Sequence, residues 1–373
     1  MSGILLALNV GSSSLKFQAA LAETPDDALL DGAIDRVGSN TATLRLSGRG
    51  GESMKETVAA DSHAAAVRLA SDVIGARLHG ERIVGVGHRV VHGGPDMIAP
   101  LRVDADLIER LEAIFPLAPL HLPHSVAGIL SARAQFPEAI HVACFDTAFH
   151  AGKPWEQDVY ALPRSYYDQG IRRYGFHGLS CQSVLRRLRA DGHPVDDGRL
   201  AIAHLGNGCS ITAVQNGRSR FCSMGFSTLD GLMMGTRCGH LDPGILLHLL
   251  RSGLDISGLE RLLYKESGLL GLSGISNDLR DLLKAGTDQA RGAIRVFVSR
   301  VVEEISRAAG VMGGLDTVVF CGGIGENALV IRERVSAGLA FLPGADGQGV
   351  RFLVCETREE QEILLAVSLF LQD

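Results

Sequence analysis

The chain has 373 residues, 46% of them hydrophobic and 21% charged, which excludes extended disorder and gives room for two domains at roughly 150 residues each. Its formal charge of −6, without a basic block, excludes phosphate-backbone binding as the main task, so no nucleic-acid partner is expected. No apolar run reaches the ~18 residues of a membrane helix, and the run at 4–8 is too short for a signal sequence and lacks a basic flank. A soluble, cytoplasmic protein with no membrane partner is expected. Seven cysteines, an odd number without a C-x-x-C pair, read as reduced thiols.

The opening ILLALNVGSSSLKFQAAL predicts an apolar strand, a Gly-Ser turn and a second strand, with a polar loop after it. Helical periodicity at 63–79 leads to a buried strand within 81–94 that ends in glycines. Helices are expected at 104–115 and 124–136, and a strand at 139–150 that runs into polar residues. Pro154 and Pro163 bracket an irregular stretch, where the domain boundary is placed. A helix at 178–190 precedes a second strand, Gly turn and strand at 199–219. The remainder predicts a long amphipathic helix at 289–310, a buried strand entering a Gly-rich turn at 316–327, and an apolar helix at 359–371.

Glycine is over-represented at 45 residues, about 12% against a usual ~7%, and it clusters beside apolar strands. Gly11 and Gly206 mark similar strand-turn-strand segments 195 residues apart, close to half the chain, which predicts a duplicated α/β unit. Two such turns facing each other across a cleft would offer backbone N–H groups to a polyphosphate from both sides.

Several segments carry candidate chemistry. NVGSSSLKF at 9–17 combines Asn9, small hydroxyl residues and Lys16, whose ammonium can place a point charge on a phosphate; an ordinary Ser-rich hairpin turn is the alternative, and the Walker A spacing is absent. Arg89 lies within an apolar strand, where a guanidinium needs an anionic partner, either a substrate carboxylate or a structural Asp. Asp146 follows a strand directly, the usual location of ligand-facing residues in α/β sheets, although a strand-end cap is the alternative. His177, between Phe176 and Gly178, reads either as a satisfied structural histidine or as a catalytic one. GLMMGTRCGHLDPG at 231–244 sets Arg237 at the tip of a turn able to cradle an anion. His121 and His124 form H-x-x-H without the accompanying Glu, which excludes the zinc-protease pattern, and there is no G-x-S-x-G elbow.

Taken in order, NVGSSSLKF, HRVVHGG, APLHLPHS, FDTAFH, YGFHGLS, HLGNGCS, GLMMGTRCGHLDPG, LSGISNDLRDL, GGIGENA and TREE resemble the acetate/propionate kinase family from Asn9 to the C-terminal helix. The resemblance implies the duplicated actin-like (ribonuclease H-like) α/β ATPase fold, with two domains around a nucleotide cleft. The first would span 1–148, joined by the C-terminal helix at about 360–373, and the second, nucleotide-binding one 149–359. It implies an acetate kinase activity: reversible, magnesium-dependent phosphoryl transfer between ATP and acetate, giving ADP and acetyl phosphate. Manganese is the alternative ion, a propionate kinase the alternative activity, and a slow ATPase scaffold of the same fold the alternative from another class. A homodimer is also implied.

Position by position, the resemblance implies metal-associated roles for Asn9 and Glu359 and a nucleotide-phosphate contact for Lys16. It implies a substrate-binding arginine at Arg89 and transition-state stabilisers at His177 and Arg237. His204, Leu205, Gly206, Asn207 and Gly208, then Asp278, Leu279 and Arg280, then Gly323, Ile324, Gly325, Glu326 and Asn327 match ATP-binding segments. Val91, Leu120 and Phe176 match the acyl pocket. Thr228 stands where the family usually has Pro, Cys181 where it has His and His240 where it has Asp, while Leu122 and Ser125 fall in a usually Asn-rich segment; Thr228 and Leu122 bear on acyl preference. Asp146 matches a residue described as proton donor or acceptor, yet a carboxylic acid substrate is already ionised at pH 7 and needs no base. Asp146 is therefore expected to orient an arginine or hold a magnesium-bound water.

Overall fold

Strand β1 (Ile4–Val10) is buried along its whole length, and β2 (Ser14–Leu21) returns antiparallel to it with Lys16 opposite Asn9. The computed structural model describes residues 3–372 apart from 12, 79, 80, 345, 346 and 348, so Ser12 of the predicted Gly-Ser turn and the last residue of the predicted 63–79 helix lie outside the described residues. Three further antiparallel strands, β3 (Ala28–Asp35), β4 (Ser39–Gly48) and β5 (Ser53–Ala60), follow where the sequence predicts a polar loop. The physical reason is a one-sided sheet. Leu30, Ile34, Ala42, Leu44 and Leu46 are buried, while alternate positions such as Asp31, Arg45 and Ser47 face outward and give the segment its polar composition.

The helix His63–Arg77 begins at Ser62, whose hydroxyl accepts from the Ala65 amide, and packs Ala66, Val67, Ala70 and Ile74 into the same core. Strand β6 (Ile83–Val90) pairs parallel with β1; β7 (Leu101–Arg102) is a short edge strand, and β8 (Ile140–Phe145) pairs parallel with β6. The complete order is β5-β4-β3-β2-β1-β6-β8-β7. The helix Glu359–Phe370 lies on this sheet, close enough that a Cβ on Gly87 would sit 2.2 Å from Ile363 Cγ2. Only glycine permits that approach.

The chain divides into two units, Met1–Phe149 with Arg358–Asp373, and His150–Thr357. In the second, β9 (Arg199–Leu205), β10 (Cys209–Gln215) and β11 (Arg218–Cys222) are antiparallel neighbours, and β12 (Thr317–Cys321) and β13 (Arg351–Val354) continue the sheet in parallel, in the order β11-β10-β9-β12-β13. The helix Asp288–Met312 covers it with Ile294, Phe297, Val301 and Ile305.

Both sheets contain the same five-strand plan: an antiparallel trio (β3-β2-β1 and β11-β10-β9) followed by two parallel strands (β6-β8 and β12-β13). The α/β plan is thus duplicated, once in each unit, as the resemblance implies. One local reading is corrected. The predicted Gly-rich turn after β12 is a short helix, Gly322–Asn327, whose first residue at φ 74° makes the bend out of the strand. Among the described residues no helix is long and apolar enough to cross a membrane, and no disulfide links the seven cysteines.

Candidate active site

In an α/β sheet, side chains meet ligands at the C-terminal ends of parallel strands. In the first unit those ends carry Asn9 on β1, Arg89 on β6 and Asp146 just past β8, and the C-terminal helix brings its first turn, Glu359 and Glu360, to the same place. Asp146 is 1% exposed and receives Arg89 along one edge: Nε at 3.0 and 3.1 Å from its two oxygens and Nη2 at 2.5 Å from Oδ2. Arg89 Nη1 donates to Asn9 Oδ1 at 3.1 Å, and Asn9 Nδ2 donates onward to Glu359 at 3.2 Å and Glu360 at 3.1 Å. Glu359 Oε2 lies 3.7 Å from Arg89 Nε.

Burial works against the Arg89 charge, but Asp146, Glu359 and Glu360 more than offset it, so the guanidinium is raised above its ordinary value. Burial also raises the Asp146 carboxyl, with Arg89 pulling it down and Glu359 adding to the rise. A permanently protonated guanidinium making three short contacts keeps the pair ionic. Of the two partners left open for Arg89, a structural Asp is the one found here.

Lys16 is exposed on β2 and, with Asp31, Arg45, Lys55 and Glu360, lines an open concavity of about 520 Å³ on the sheet face. Val91 is buried just past Arg89, Leu122 is fully buried, and Leu120 is 37% exposed in the turn before the helix Leu122–Gln135.

In the second unit, His177 occupies the left-handed conformation, φ 59° and ψ 30°, immediately before the helix Gly178–Ala190. A side chain held there costs of order 1–3 kcal/mol and persists only where its surroundings over-determine it. Its Nδ1 is 3.0 Å from Ser210 Oγ, and its ring stacks on His204 at 4.2 Å between centroids. The turn Gly206–Asn207–Gly208 between β9 and β10 lies against it: a Cβ on Gly208 would meet His177 Nε2 at 2.9 Å. His204 pairs with Cys321 across β9 and β12, which sets Leu205 and the 206–208 turn beside Gly322 and Gly323. There the Gly322 amide donates to Glu326 Oε1 at 2.9 Å and Asn327 Nδ2 to the Gly323 carbonyl at 2.9 Å, while Gly325 is buried and Ile324 half-buried. His177, the HLGNG turn and the GIGEN helix are therefore one cluster.

Arg237 sits in the irregular 231–242 segment, partly buried. Its Nη1 donates to the Thr228 carbonyl at 3.2 Å and approaches Met234 Sδ at 3.6 Å; among the described residues no carboxylate lies within ion-pair distance of it. Burial lowers its pKa from the ordinary value, with Tyr264 and Cys209 opposing. Thr228 is thus brought to Arg237 through its carbonyl, and Phe176, 1% exposed, directly precedes His177.

The Asp278 segment stands differently. Asp278 caps the helix Leu279–Ala285 by accepting from the Arg280 amide, and the Arg280 guanidinium folds back onto the same carboxylate at 2.5 Å, while Leu279 is buried. Two contributors escape the sequence reading. Glu360 is visible as the second acid of TREE yet unassigned, and Ser210 is an unmarked serine on a strand.

The sequence model described as the Acetokinase family matches residues 4–350. The chain is 44% identical over 356 residues to a protein from Methylocella silvestris named acetate kinase, which covers 92% of this chain and 88% of that one. Among solved structures it is similar to acetate kinase from Porphyromonas gingivalis, with a TM-score of 0.86, 34% identity, and 99% and 100% of the two chains covered. It is also similar to a propionate kinase from Francisella tularensis, with a TM-score of 0.88, 33% identity, and 98% and 99% covered.

Proposed function

The chain belongs to the acetokinase family, and from that premise we propose that it catalyses the reversible, magnesium-dependent transfer of a phosphoryl group between ATP and acetate, giving ADP and acetyl phosphate. A kinase with a carboxylate acceptor follows from the membership itself. The observation that carries the finer reading is Arg237, a partly buried guanidinium whose protein partners are a carbonyl and a thioether. Such a group is completed by an anion. An ATPase scaffold would need the phosphate-binding turns but neither Arg237 nor Arg89.

The chemistry calls for fixed cations, since a carboxylate 4 Å from a phosphate charge is repelled by about 4 kcal/mol at an effective dielectric of about 20. Arg89, held in one plane by Asp146 and Asn9, would bind the acetate carboxylate in a fixed direction. Arg237 would take the charge on the transferring phosphoryl oxygens, and His177, in the tautomer whose Nδ1 accepts from the Ser210 hydroxyl, would donate from Nε2. Asn9 and Glu359 are the proposed magnesium contacts: Glu359 would offer a hard carboxylate oxygen, and Asn9, whose Oδ1 accepts from Arg89 and whose Nδ2 faces Glu359, would reach the ion through water, which with phosphate completes its usual shell. Bound there, magnesium supplies neutralisation of the β- and γ-phosphate charge, and manganese suits the same donors. Lys16, the 204–208 turn, residues 278–280 and residues 323–327 are the proposed nucleotide contacts.

Asp146 is assigned to orientation. Its oxygens face Arg89, and its substrate partner is already ionised. In Asp146→Asn the pH profile of kcat should fall in height and keep its shape. If the substitution abolishes an acidic limb present in the parent, Asp146 transfers a proton after all.

Val91, Leu120, Phe176 and Thr228 are the proposed acyl contacts. Hydrophobic surfaces discriminate one methylene by about 1–3 kcal/mol, so acetate should be the best substrate and propionate should keep kcat/KM within about 10–200-fold of it. An acyl-acid panel tests this, and propionate outperforming acetate would make the enzyme a propionate kinase.

The proposed location is the cytoplasm, in keeping with thiols that form no disulfide. A homodimer is supported by the helices Pro243–Arg251 and Ile256–Lys265, which bury no residue and expose Ile245, Leu247 and Ile256. Sedimentation should give a dimer mass; a monomer at all concentrations removes the second copy.

A further inference from the structure

A buried polar network underlies the His177 loop, outside every role assigned so far. Its centre is Lys153, whose side chain is 3% exposed. Nζ donates to the carbonyls of His150 at 2.8 Å and Tyr174 at 2.9 Å and pairs with Asp158 Oδ1 at 3.4 Å, so three N–H donors meet three acceptors. Lysine is almost never this buried unless paired. Burial lowers its pKa, and Asp158 opposes the shift.

His150 stands beside it, fully buried, with Nε2 2.8 Å from the Phe176 carbonyl and Nδ1 2.9 Å from Ser219 Oγ. A carbonyl only accepts, so the ring proton is on Nε2 and Nδ1 accepts from the serine. Burial first, and then the Lys153 charge, push this histidine down to about 3, which keeps the ring neutral.

Lys153 and His150 thus grip the carbonyls of Tyr174 and Phe176, two of the three residues before His177. The amides of the same stretch are also held: Arg173 by the Asp158 carbonyl at 2.7 Å, and Tyr174 and Gly175 by the Gly225 carbonyl at 3.0 and 3.3 Å. Gly175, at φ 84°, has no room for a side chain, since its Cβ would lie 2.7 Å from the His150 ring. The strained backbone of His177 follows directly from this clamped stretch.

We infer that Lys153 is a positioning residue for phosphoryl transfer: with His150 it locks the Tyr174 and Phe176 carbonyls and so fixes the conformation from which His177 acts. The inference rests on the proposed role of His177 at the transferring phosphoryl group. A lysine that only stabilised the fold would change the melting temperature without regard to what residue stands at 177.

The experiment measures kcat and both KM values for Lys153→Met, which keeps the stem and removes all three donors, and for Lys153→Gln, which keeps two. Each is made in the parent and in His177→Ala. His177→Ala alone should lose about 10²-fold in kcat, the size of one lost donor to a transition-state charge. Lys153→Met should lose about tenfold or more with both KM values within about threefold, Lys153→Gln less, and neither more than about twofold further once His177 is gone, since residues acting as a unit are non-additive. An unchanged kcat in Lys153→Met, or an equal loss in both backgrounds, overturns the inference. If Lys153→Met does not fold, the Lys153→Gln pair makes the same comparison. Should His177→Ala keep full activity, the role of His177 fails separately, and the ring ¹⁵N shifts of His177 still decide on Lys153: they should move in Lys153→Gln, and identical shifts overturn the positioning role.

Discussion

Arg237→Ala is expected to lower kcat by about 10³-fold or more while ATP affinity stays within a few-fold, because charge stabilisation at a phosphoryl group is of that size. The same substitution should leave the melting temperature unchanged or raise it. Arg237 is a partly desolvated cation with no carboxylate beside it among the described residues, so its removal relieves a cost in the folded protein without leaving a counter-ion behind. Loss of activity together with retained or improved stability is the signature of a group kept for its ligand. Near-normal turnover would remove Arg237 from the reaction, and a large fall in stability would mark it as a structural strut for the Thr228 loop.

Arg89→Ala should also cost about 10³-fold in kcat, for the same electrostatic reason, but with the opposite effect on stability. Asp146 is almost fully buried and takes three of its hydrogen bonds from Arg89, so truncating the arginine strands a buried carboxylate, at about 3–5 kcal/mol. Replacing both residues by alanine should recover much of that stability, since neither charge is then left alone. Activity should stay low in the double variant. Calorimetry beside steady-state kinetics separates the two effects: recovery of both would show that Arg89 serves only to neutralise Asp146.

The contrast between these arginines shows what the sequence could convey. That each needed an anion was legible from an apolar strand around Arg89 and a Gly-rich turn around Arg237. Which of them already had one was not, because Asp146 lies 57 positions away from Arg89 and meets it only through the pairing of β6 with β8. The two glycine turns, similar in sequence and 195 residues apart, foretold the duplication that appears as two sheets with one plan. Strands β3, β4 and β5 escaped because a sheet with one solvated face has a polar composition: Ala42, Leu44 and Leu46 do alternate with polar residues in β4, but the patterns of β3 and β5 beside it are less regular. Lys153 left no trace in the sequence. A lysine between a glycine and a proline in an irregular stretch reads as a solvated side chain, and only the return of the 172–177 loop over it buries its ammonium. The left-handed His177 was equally invisible, since nothing in YGFHGLS marks which residue takes the strained position.

The central claim is that the phosphoryl group leaves ATP for a carboxylate rather than for water. It is tested most directly by incubating the purified protein with ATP, magnesium, acetate and hydroxylamine, and measuring acetohydroxamate and ADP together. One hydroxamate should form for each ADP, and ADP formation should stop when acetate is withheld. ADP accompanied by free phosphate, with no hydroxamate and no dependence on acetate, would contradict the account.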